Sequence, residues 1–266
     1  MSAMSDPEST MASRFSRQIL LPGLGLAGQR SLMEGRALIV GVGGLGSWVA
    51  ELLARAGVGF LRLVDPDRVD LTNIHRQALY TEADAGEHRP KVEAAEARIA
   101  EINSGTMVEP IMTRLDRTNI SLLAEGMAVL IDGTDNFAAR YLLNDYAVKF
   151  GMPWVFAGVI RSEAQVMTVL PGRTACLRCI LESPPPPCED PSCRTAGVLG
   201  PAVAAIASLQ AIEAIKILAG RTESASPYLL KLDYWANSTR QVSTLGAARR
   251  PDCPCCGLRD FEFLEM

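Results

Sequence analysis

The stretch Arg36-Ala-Leu-Ile-Val-Gly-Val-Gly-Gly-Leu-Gly46 decides the fold of this chain. Its first half is a short, continuous apolar run that ends at a glycine, which is typical of a strand buried on both faces. Its second half, Gly41-x-Gly43-x-x-Gly46, follows that strand and opens a helical stretch, the context that a dinucleotide fingerprint requires. Such glycines bring backbone N–H groups close to phosphate at a helix N-terminus. The turn predicts bound adenosine ribose and phosphate without identifying the cofactor; a turn needed only for packing is the alternative.

The elements around this turn alternate between strands and helices. A second apolar run at residues 60–64 completes a βαβ unit of about 30 residues, as a parallel sheet requires. Residues 162–170 alternate as in an antiparallel strand. We therefore predict an α/β fold with a Rossmann-like, mostly parallel sheet, helices on both faces and an antiparallel continuation. The predicted helices are residues 13–34, 45–56, 91–102, 136–150 and 201–218, and the predicted strands are residues 36–41, 60–64, 108–113, 128–132, 153–159, 162–170, 229–234 and 240–244.

Composition excludes several classes of protein. The 266 residues carry a net charge of −4, with a pI near 5.4, and no long basic block, so we expect no nucleic-acid partner. Residues 1–12 are polar and lack the apolar core of a secretory signal, so they are predicted to be a disordered lead. Residues 196–219 come closest to a membrane span. Because Gln210, Glu213 and Lys216 interrupt them, we interpret them as a helix packed inside a protein and expect no membrane partner.

Charged and amide side chains follow the second strand. Asp65 ends that strand 19 residues after Gly46, which suits it to bind ribose hydroxyl groups. Asn73, Arg76 and Gln77 follow in a loop beyond the carboxyl end of the strand, where open α/β sheets bind ligands. Arg76 and Lys91 at this position would neutralise charge that develops on a triphosphate. A solvated or salt-bridged surface arginine is the plainer alternative, but the combination favours ATP cleavage.

A further carboxylate ends another passage from strand to loop, Val129-Leu-Ile-Asp-Gly-Thr-Asp135. Asp135 there can hold Mg²⁺, which needs only one or two protein carboxylates in addition to phosphate oxygens. The same stretch, Thr134-Asp135-Asn136, can instead supply a helix N-cap. The two roles are compatible, and both stay open.

All seven cysteines lie between Cys176 and Cys256. In a chain without a secretory signal this clustering favours metal or thiol chemistry over disulfides, so we expect a reducing, cytoplasmic compartment. Cys176-x-x-Cys179 and Cys253-x-x-Cys256 are two pairs separated by 73 residues, and two such pairs predict a tetrahedral, structural zinc site. Cys255 competes with its neighbours for the fourth ligand position.

The remaining two thiols lie in a proline-rich loop within residues 174–195. The four successive prolines from Pro184 to Pro187 exclude a helix or a central strand there. Cys193 is a candidate nucleophile that would accept an activated acyl group or sulfur. An idle surface thiol is an equal alternative, and Cys188 has no assigned role.

In their order along the chain, these motifs resemble the ThiF/MoeB/HesA family, the bacterial relatives of ubiquitin-activating enzymes. The resemblance runs from about residue 13 to residue 256. The motifs that carry it are Arg17-Gln-Ile-Leu20, the Gly41 turn, Asn73-x-x-Arg76-Gln77, Pro90-Lys91-Val92, Thr134-Asp135-Asn136, the two cysteine pairs, Gly197-Val-Leu-Gly-Pro201 and Ser208-Leu-Gln-Ala-Ile-Glu-Ala-Ile-Lys216.

The resemblance implies a homodimer that binds ATP·Mg²⁺ and the C-terminal Gly-Gly tail of a ubiquitin-like sulfur carrier of the ThiS/MoaD type. The terminal carboxylate of the carrier would attack the α-phosphate, pyrophosphate would leave, and an acyl-adenylate would form for sulfur transfer in cofactor biosynthesis. It implies that Arg17 reaches into the site of the neighbouring subunit. It also places Cys193 where ThiF-like members have a cysteine that bonds covalently with the carrier. The sulfur donor is expected to be a separate protein.

The residues and the resemblance together define a single adenylation domain over residues 13–266. Residues 13–170 would be its nucleotide-binding part, and residues 171–266 its zinc- and carrier-binding part. The expected catalytic residues are Arg17, Arg76, Lys91, Asp135 and Cys193. The expected ATP-binding residues are Gly41, Gly43, Gly44, Gly46, Asp65, Asp67, Thr72, Asn73, Arg76, Gln77, Lys91, Asp135 and Asn136. Three alternatives remain: an oxidoreductase that uses a nicotinamide, a binding module without activity, and adenylation of a peptide C-terminus.

Overall fold

The computed structural model describes residues 13–184 and 196–265. The strands in these ranges are β1 (Arg36–Val40), β2 (Phe60–Val64), β3 (Met107–Ile111), β4 (Val129–Asp132), β5 (Trp154–Ile160), β6 (Glu163–Val169), β7 (Tyr228–Asp233) and β8 (Ser238–Ser243). The α-helices are α1 (Ser16–Ile19), α2 (Gly25–Glu34), α3 (Gly44–Ala56), α4 (Glu82–Gly86), α5 (Lys91–Ile102), α6 (Ile120–Ala124), α7 (Phe137–Phe150), α8 (Leu177–Ile180), α9 (Gly200–Leu218) and α10 (Glu262–Glu265).

The strands form one sheet with the order β3-β2-β1-β4-β5-β6-β7-β8. The first five strands in this order pair in parallel, and β6, β7 and β8 extend the sheet with antiparallel pairs. Val40 at the end of β1 is in register with Val64 on one side and Asp132 on the other. The carboxyl ends of β2, β1 and β4 therefore meet at one edge, and the predicted fold class is confirmed.

Apolar helices cover both faces of the sheet. On one face, α3 and α9 pack together over residues such as Val49, Leu53 and Ile206, which are fully buried. On the other face, α7 and the cysteine-rich tail pack around Trp154 and Phe156. Helix α3 ends at Gly57, which adopts a left-handed conformation with φ of 87° and so satisfies the last carbonyl groups.

Helix α9 is the one helix in the described ranges that is long and apolar enough to cross a membrane by length and composition. Its buried polar residues indicate a different environment, because they contact the sheet. Gln210 Nε2 donates hydrogen bonds to the carbonyl oxygens of Asp132 and Val155, at 2.8 and 2.9 Å. Glu213 is also buried and accepts a 2.7 Å hydrogen bond from Thr168 Oγ1. This packing agrees with the interpretation of α9 as a helix inside a folded protein.

Two details differ from the sequence-based predictions. The predicted helix at residues 13–34 is divided into α1 and α2, because Pro22-Gly23 interrupts it. The short helices α4, α6, α8 and α10 were not predicted, since none spans enough residues to show a helical period. The stretch Thr134-Asp135-Asn136 does supply the cap of α7, through Asn136, whose Oδ1 accepts a 3.0 Å hydrogen bond from Ala139 N. The predicted lead at residues 1–12 lies outside the described ranges.

Candidate functional site

A cleft of about 1950 Å³ runs along the edge of the sheet where β2, β1 and β4 end. Ligands of open α/β sheets bind in this position, outside the carboxyl ends of the strands. The wall at one end is built by Gly41, Asp65 and Asp135, and the wall at the other end by Gln165 on β6, Lys231 on β7 and neighbouring residues of β8. The cleft therefore spans the parallel and the antiparallel parts of the sheet.

The glycine turn forms the floor at the first end. Gly41 has a φ of 83°, a conformation that L-residues with side chains rarely adopt. Gly43 is the N-cap of α3 and supplies no side-chain hydrogen bond, so N–H groups of the first helical turn remain available to phosphate. Gly43 and Gly44 line the cleft, but Gly46 does not: a Cβ atom there would overlap the carbonyl oxygen of Gly41. Gly46 thus serves close packing.

Asp65 is buried at the end of β2 and is held by two backbone N–H groups. Val42 N donates to Oδ2 at 2.7 Å, and Asp67 N donates to Oδ1 at 2.8 Å. Burial raises the pKa of Asp65, against the positive charge of Lys91 and the two backbone hydrogen bonds, which lower it. Each carboxylate oxygen keeps a lone pair that can accept a further hydrogen bond, as ribose hydroxyl groups would require.

The two predicted phosphate-binding cations lie in different surroundings. Lys91 is buried at the start of α5, and its Nζ lies 3.0 Å from Asp67 Oδ2. Arg76 is half-buried, and its Nη1 donates a 2.8 Å hydrogen bond to the carbonyl oxygen of Thr72. A Cβ atom at Gly44 would lie 4.0 Å from Arg76 Cδ, so the arginine stem passes beside the glycine turn. Both cations line the cleft.

Of the remaining polar residues of this loop, two form hydrogen bonds within the loop and one keeps a free acceptor. Thr72 donates through both its N and its Oγ1 to Asp70 Oδ1, at 2.8 and 2.5 Å. Asn73 Oδ1 accepts a 3.3 Å hydrogen bond from Asp70 N, which completes a capping box. Gln77 is buried in the wall of the cleft, and its Oε1 has no hydrogen-bond partner among the described residues. Of these three amide and hydroxyl side chains, Gln77 keeps a buried acceptor free for a ligand.

Asp135 faces the solvent at the rim of the cleft. Its carboxylate makes no hydrogen bond or ion pair with another residue of the described ranges. An exposed, unengaged carboxylate beside the glycine turn fits the requirements of Mg²⁺, which binds through one or two carboxylates and the oxygen atoms of its phosphate partner.

The two predicted cysteine pairs converge on one point. The sulfur atoms of Cys176, Cys179, Cys253 and Cys256 all lie within 4.8 Å of one another. Neighbouring sulfurs are separated by 3.9, 3.6 and 3.3 Å, close to the ~3.8 Å that tetrahedral geometry with 2.3 Å zinc–sulfur bonds gives. Hydrogen bonding from the Cys176 thiol lowers the pKa of Cys179, which favours the thiolate that a metal binds. This cluster is suited to a metal ion.

Cys255 lies beside the cluster but outside it. Its buried sulfur accepts a 3.3 Å hydrogen bond from Asn144 Nδ2 of α7. The competition between Cys255 and Cys256 for the fourth position is therefore decided by geometry in favour of Cys256. Cys188 and Cys193 lie outside the described residues.

The cleft lacks some of the predicted site residues and is lined by others that were not predicted. Arg17 is exposed on α1 and does not line the cleft of its own chain. Arg140 on α7 lines the cleft but was not predicted from the sequence. A basic residue one turn after the cap of a helix that begins at this edge of the sheet could have indicated it. The other lining residues that were missed include Arg114, Arg117, Gln165, Lys231 and Arg240.

The chain matches the ThiF family over residues 15–255. It belongs to the ThiF family. Among curated members, it is 40% identical over 254 residues to the sulfur carrier protein ThiS adenylyltransferase of Bacillus subtilis, covering 96% of this chain and 74% of the relative. It is 39% identical over 249 residues to the sulfur carrier protein adenylyltransferase of Thermus thermophilus, covering 92% of this chain and 90% of the relative.

The ThiF-family fold also recurs in a solved structure. Escherichia coli MccB with ATP superposes with a TM-score of 0.79 at 23% identity, over 92% of this chain and 74% of that chain. At this level of identity the likeness shows the shared fold and says nothing further about the substrate.

Proposed function

We propose that this protein is an ATP-dependent adenylyltransferase that activates the C-terminal glycine carboxylate of a ubiquitin-like sulfur carrier of the ThiS/MoaD type. The acyl-adenylate would serve sulfur transfer in cofactor biosynthesis. The observation that carries the proposal is one continuous cleft. It joins an uncapped helix N-terminus and a buried lysine at one end to an exposed antiparallel sheet at the other. The curated relatives named as sulfur carrier adenylyltransferases support it at 40% and 39% identity.

At the nucleotide end, each part of ATP has a matching group. Asp65 would accept hydrogen bonds from the ribose hydroxyls, and the N–H groups that follow Gly43 would bind phosphate oxygens. Lys91 and Arg76 would stabilise the negative charge on the pentavalent α-phosphate and on the leaving pyrophosphate. Preorganised charge of this kind, positioned where charge develops, is the dominant contribution in such a reaction.

The substrate carboxylate would attack the α-phosphorus, and the bond to the bridging oxygen of the pyrophosphate would break. The products are an acyl-adenylate and pyrophosphate, so the step conserves charge and atoms without a further reactant. Asp135, which has no partner in the described ranges, would bind Mg²⁺ together with phosphate oxygens. The metal would neutralise charge on the departing pyrophosphate.

The carrier would bind at the antiparallel end, along β6, β7 and β8. Gln165, Lys231 and Arg240 lie side by side in register across these strands and line the cleft. Lys231 and Arg240 make no ion pair within the described ranges. Like charges directly opposite one another destabilise a sheet. We infer that this pair is retained to bind an acidic group of the carrier beside its C-terminal tail.

The cysteine cluster would hold zinc in a structural role. Four thiolates leave no open position for water or substrate, so the metal would not take part in the chemistry. It would instead fix the C-terminal tail against α7 and α8, next to the antiparallel end of the sheet.

Further elements of the proposal rest on the family. We propose a homodimer in which Arg17 completes the site of the neighbouring subunit, since Arg17 is exposed and does not line the cleft of its own chain. We propose Cys193 as an acceptor of the activated acyl group or of sulfur, a separate protein as the sulfur donor, and a cytoplasmic location. No nucleic-acid or membrane partner is part of the proposal.

ATP–pyrophosphate exchange tests the function. Radiolabelled pyrophosphate would be incubated with the protein, ATP, Mg²⁺ and each candidate carrier that ends in Gly-Gly, with Lys91→Met as the matched inactive control. Exchange that depends on one carrier and disappears in the variant would support the proposal and identify the partner. Exchange with a peptide C-terminus alone would replace the carrier by a peptide substrate. ATP binding without exchange on any carboxylate would contradict adenylation, and binding of a nicotinamide nucleotide in place of ATP would favour an oxidoreductase.

A further inference from the structure

A buried ion pair lies beneath the loop that carries Asp135. Asp132 at the end of β4 is fully buried, and Arg140 on the first turns of α7 is nine-tenths buried. Arg140 Nε lies 3.3 Å from Asp132 Oδ2. Burial raises the pKa of Asp132, and the charge of Arg140 opposes that effect. The charge of Arg140 and the hydrogen bonds from Thr134 thus offset part of the cost of burying this carboxylate.

The two members of this pair hold the same residue from opposite sides. Asp132 Oδ1 accepts hydrogen bonds from Thr134 N at 2.9 Å and from Thr134 Oγ1 at 2.7 Å. Arg140 Nη2 donates a 2.9 Å hydrogen bond to the carbonyl oxygen of Thr134. The peptide groups on both sides of the Thr134 Cα atom are thus fixed, including the one that leads into Asp135.

The other neighbours of Asp135 are fixed as well. Gly133 N donates a 2.8 Å hydrogen bond to the carbonyl oxygen of Val40, and the side chain of Asn136 caps α7. Asp135 is the exception, because its own carboxylate has no partner in the described part of the chain. The backbone around Asp135 is therefore held by hydrogen bonds, while its carboxylate is free. Such an arrangement holds a metal-binding residue in position before the metal binds.

The guanidinium group suits this task better than an ammonium group would. It lies over the rings of Phe137 and Phe156, with its central carbon 5.2 and 5.5 Å from the ring centroids. From that position Nε forms the ion pair with Asp132, while Nη2 donates its hydrogen bond to the Thr134 carbonyl oxygen. A lysine would carry the charge as a single point and would not maintain both contacts in the same geometry.

We propose that Arg140 is a positioning residue for Mg²⁺·ATP, which acts through Thr134 to hold the Asp135 carboxylate where the metal binds. The proposal rests on the proposed adenylation function, because it assigns Asp135 to the metal of that reaction. Arg140 itself would not contact the metal. Substitution of Arg140 would therefore raise the Mg²⁺ concentration that the reaction requires, and the nucleotide site itself would remain.

The matched variants are Arg140→Lys and Arg178→Lys. Arg178 also forms a buried ion pair, with Nη1 3.7 Å from Asp145 Oδ2, but it lies beside the cysteine cluster and does not line the cleft. Both variants keep the positive charge but replace the planar guanidinium group with an ammonium group. We therefore expect both to lower the melting temperature. We expect Arg140→Lys alone to raise the Mg²⁺ concentration for half-maximal pyrophosphate exchange, by roughly 10-fold or more, as substitutions behind a metal ligand usually do.

Equal Mg²⁺ dependence in Arg140→Lys and the wild type, at any melting temperature, would overturn the proposal. If Arg140→Lys does not fold, Thr134→Val removes one of the hydrogen bonds to Asp132 with little change in volume, and the Mg²⁺ requirement must rise in that variant too. Adenosine affinity should stay within about twofold of wild type in each variant, since adenosine needs no metal. If the wild type shows no exchange, the proposed function fails separately, and calorimetric titration of ATP at graded Mg²⁺ still tests the role of Arg140.

Discussion

Lys91 and Asp67 form an ion pair across the rim of the cleft, 3.0 Å from Nζ to Oδ2, in which the lysine side chain is 7% exposed and the aspartate 60%. The ammonium group of Lys91 is thus buried in the wall of the cleft, while the carboxylate of Asp67 faces water. A phosphate that enters the cleft can displace or join the exposed carboxylate without moving the lysine. The pair keeps Lys91 oriented before the nucleotide binds.

The unequal burial of this pair predicts unequal effects of substitution. Lys91→Met should lower kcat/KM for pyrophosphate exchange by about 10²- to 10³-fold, because it removes a preorganised charge from the transition state. Asp67→Asn should cost at most about fivefold, since an exposed ion pair contributes little. Steady-state exchange assays on the two variants make the comparison. Equal losses would mean that Asp67 itself acts on the substrate.

Substitutions of Asp135 and Cys176 should have different effects: the first should lower activity, and the second should lower stability. Asp135→Ala removes an exposed, unpartnered carboxylate, so the protein should fold with an unchanged melting temperature and lose exchange activity. Cys176→Ala opens a buried four-thiol cluster, and structural zinc can contribute on the order of 10 kcal/mol of apparent folding free energy. That variant should melt far below the wild type. Differential scanning calorimetry with parallel activity assays decides, and the reverse ranking would refute both assignments.

The neighbouring thiols Cys255 and Cys256 provide a matched test of the metal site. Cys256→Ser should reduce the bound zinc, because it removes one of four converging ligands. Cys255→Ser should keep about one zinc per chain, because that sulfur contacts Asn144 instead. Inductively coupled plasma mass spectrometry of the purified variants gives the stoichiometry. Loss of zinc from Cys255→Ser with retention in Cys256→Ser would reverse the ligand assignment.

Asp65 predicts a characteristic response to acid. Its ionised carboxylate is the acceptor for ribose, so adenosine affinity should fall as the pH drops through the pKa of Asp65. Because burial raises that pKa, the midpoint should lie above the ordinary aspartate value of about 3.9. Calorimetric titration of adenosine between pH 7 and about pH 3 measures it. A midpoint at or below 3.9 would contradict the raised pKa.

The same shift affects stability with a defined sign. The folded protein binds the Asp65 proton more tightly than the unfolded chain does. The contribution of Asp65 to the free energy of unfolding is therefore largest below the unfolded pKa and falls as the pH rises through the folded pKa. Asp65→Asn should remove this part of the pH dependence, and its adenosine affinity should be low and independent of pH over the same range.

The paired cations on β7 and β8 should affect the carrier and spare the nucleotide. Lys231→Glu combined with Arg240→Glu should raise KM for the carrier at least 10-fold, with a salt dependence weaker than that of the wild type, while ATP affinity is unchanged. Glu163→Gln, on the same sheet face, is the control, and it should leave KM similar or lower. An unchanged KM in the double variant would exclude these strands from carrier recognition.

The sequence predicted β1, β2 and β4 well because each is a short, mostly apolar run. The start and end of α5 at residues 91–102 were predicted correctly, and so was the change from parallel to antiparallel pairing after residue 160. Helix boundaries failed where a local feature opposed the apolar period, as at Pro22-Gly23. Helix α7 was predicted to begin at residue 136, one residue early, because only the backbone geometry distinguishes the capping residue Asn136 from the first helical residue.

The cleft was predictable where it follows from strand ends and loop motifs, and not where it depends on distant packing. The positions of Asp65, Lys91 and Asp135 follow from strand order. The role of Arg140 depends on its contact with Asp132 across an intervening loop, which no periodic pattern reveals. The Cys-x-x-Cys spacing favoured Cys256 but left Cys255 as a competitor, and the distances between sulfur atoms place Cys256 in the cluster.

The register of Val40 with Asp132 also joins two strands that are far apart along the chain. Gly41 and Gly133, whose backbones touch in the folded cleft, are separated by about 90 residues of chain, so β1 can pair with β2 early in synthesis but with β4 only much later. Strands β5 to β8 instead each join the strand made just before them. Pairing of β1 with β4, which closes the nucleotide end of the cleft, is therefore a non-local event, and contacts of this kind form more slowly in folding than local ones.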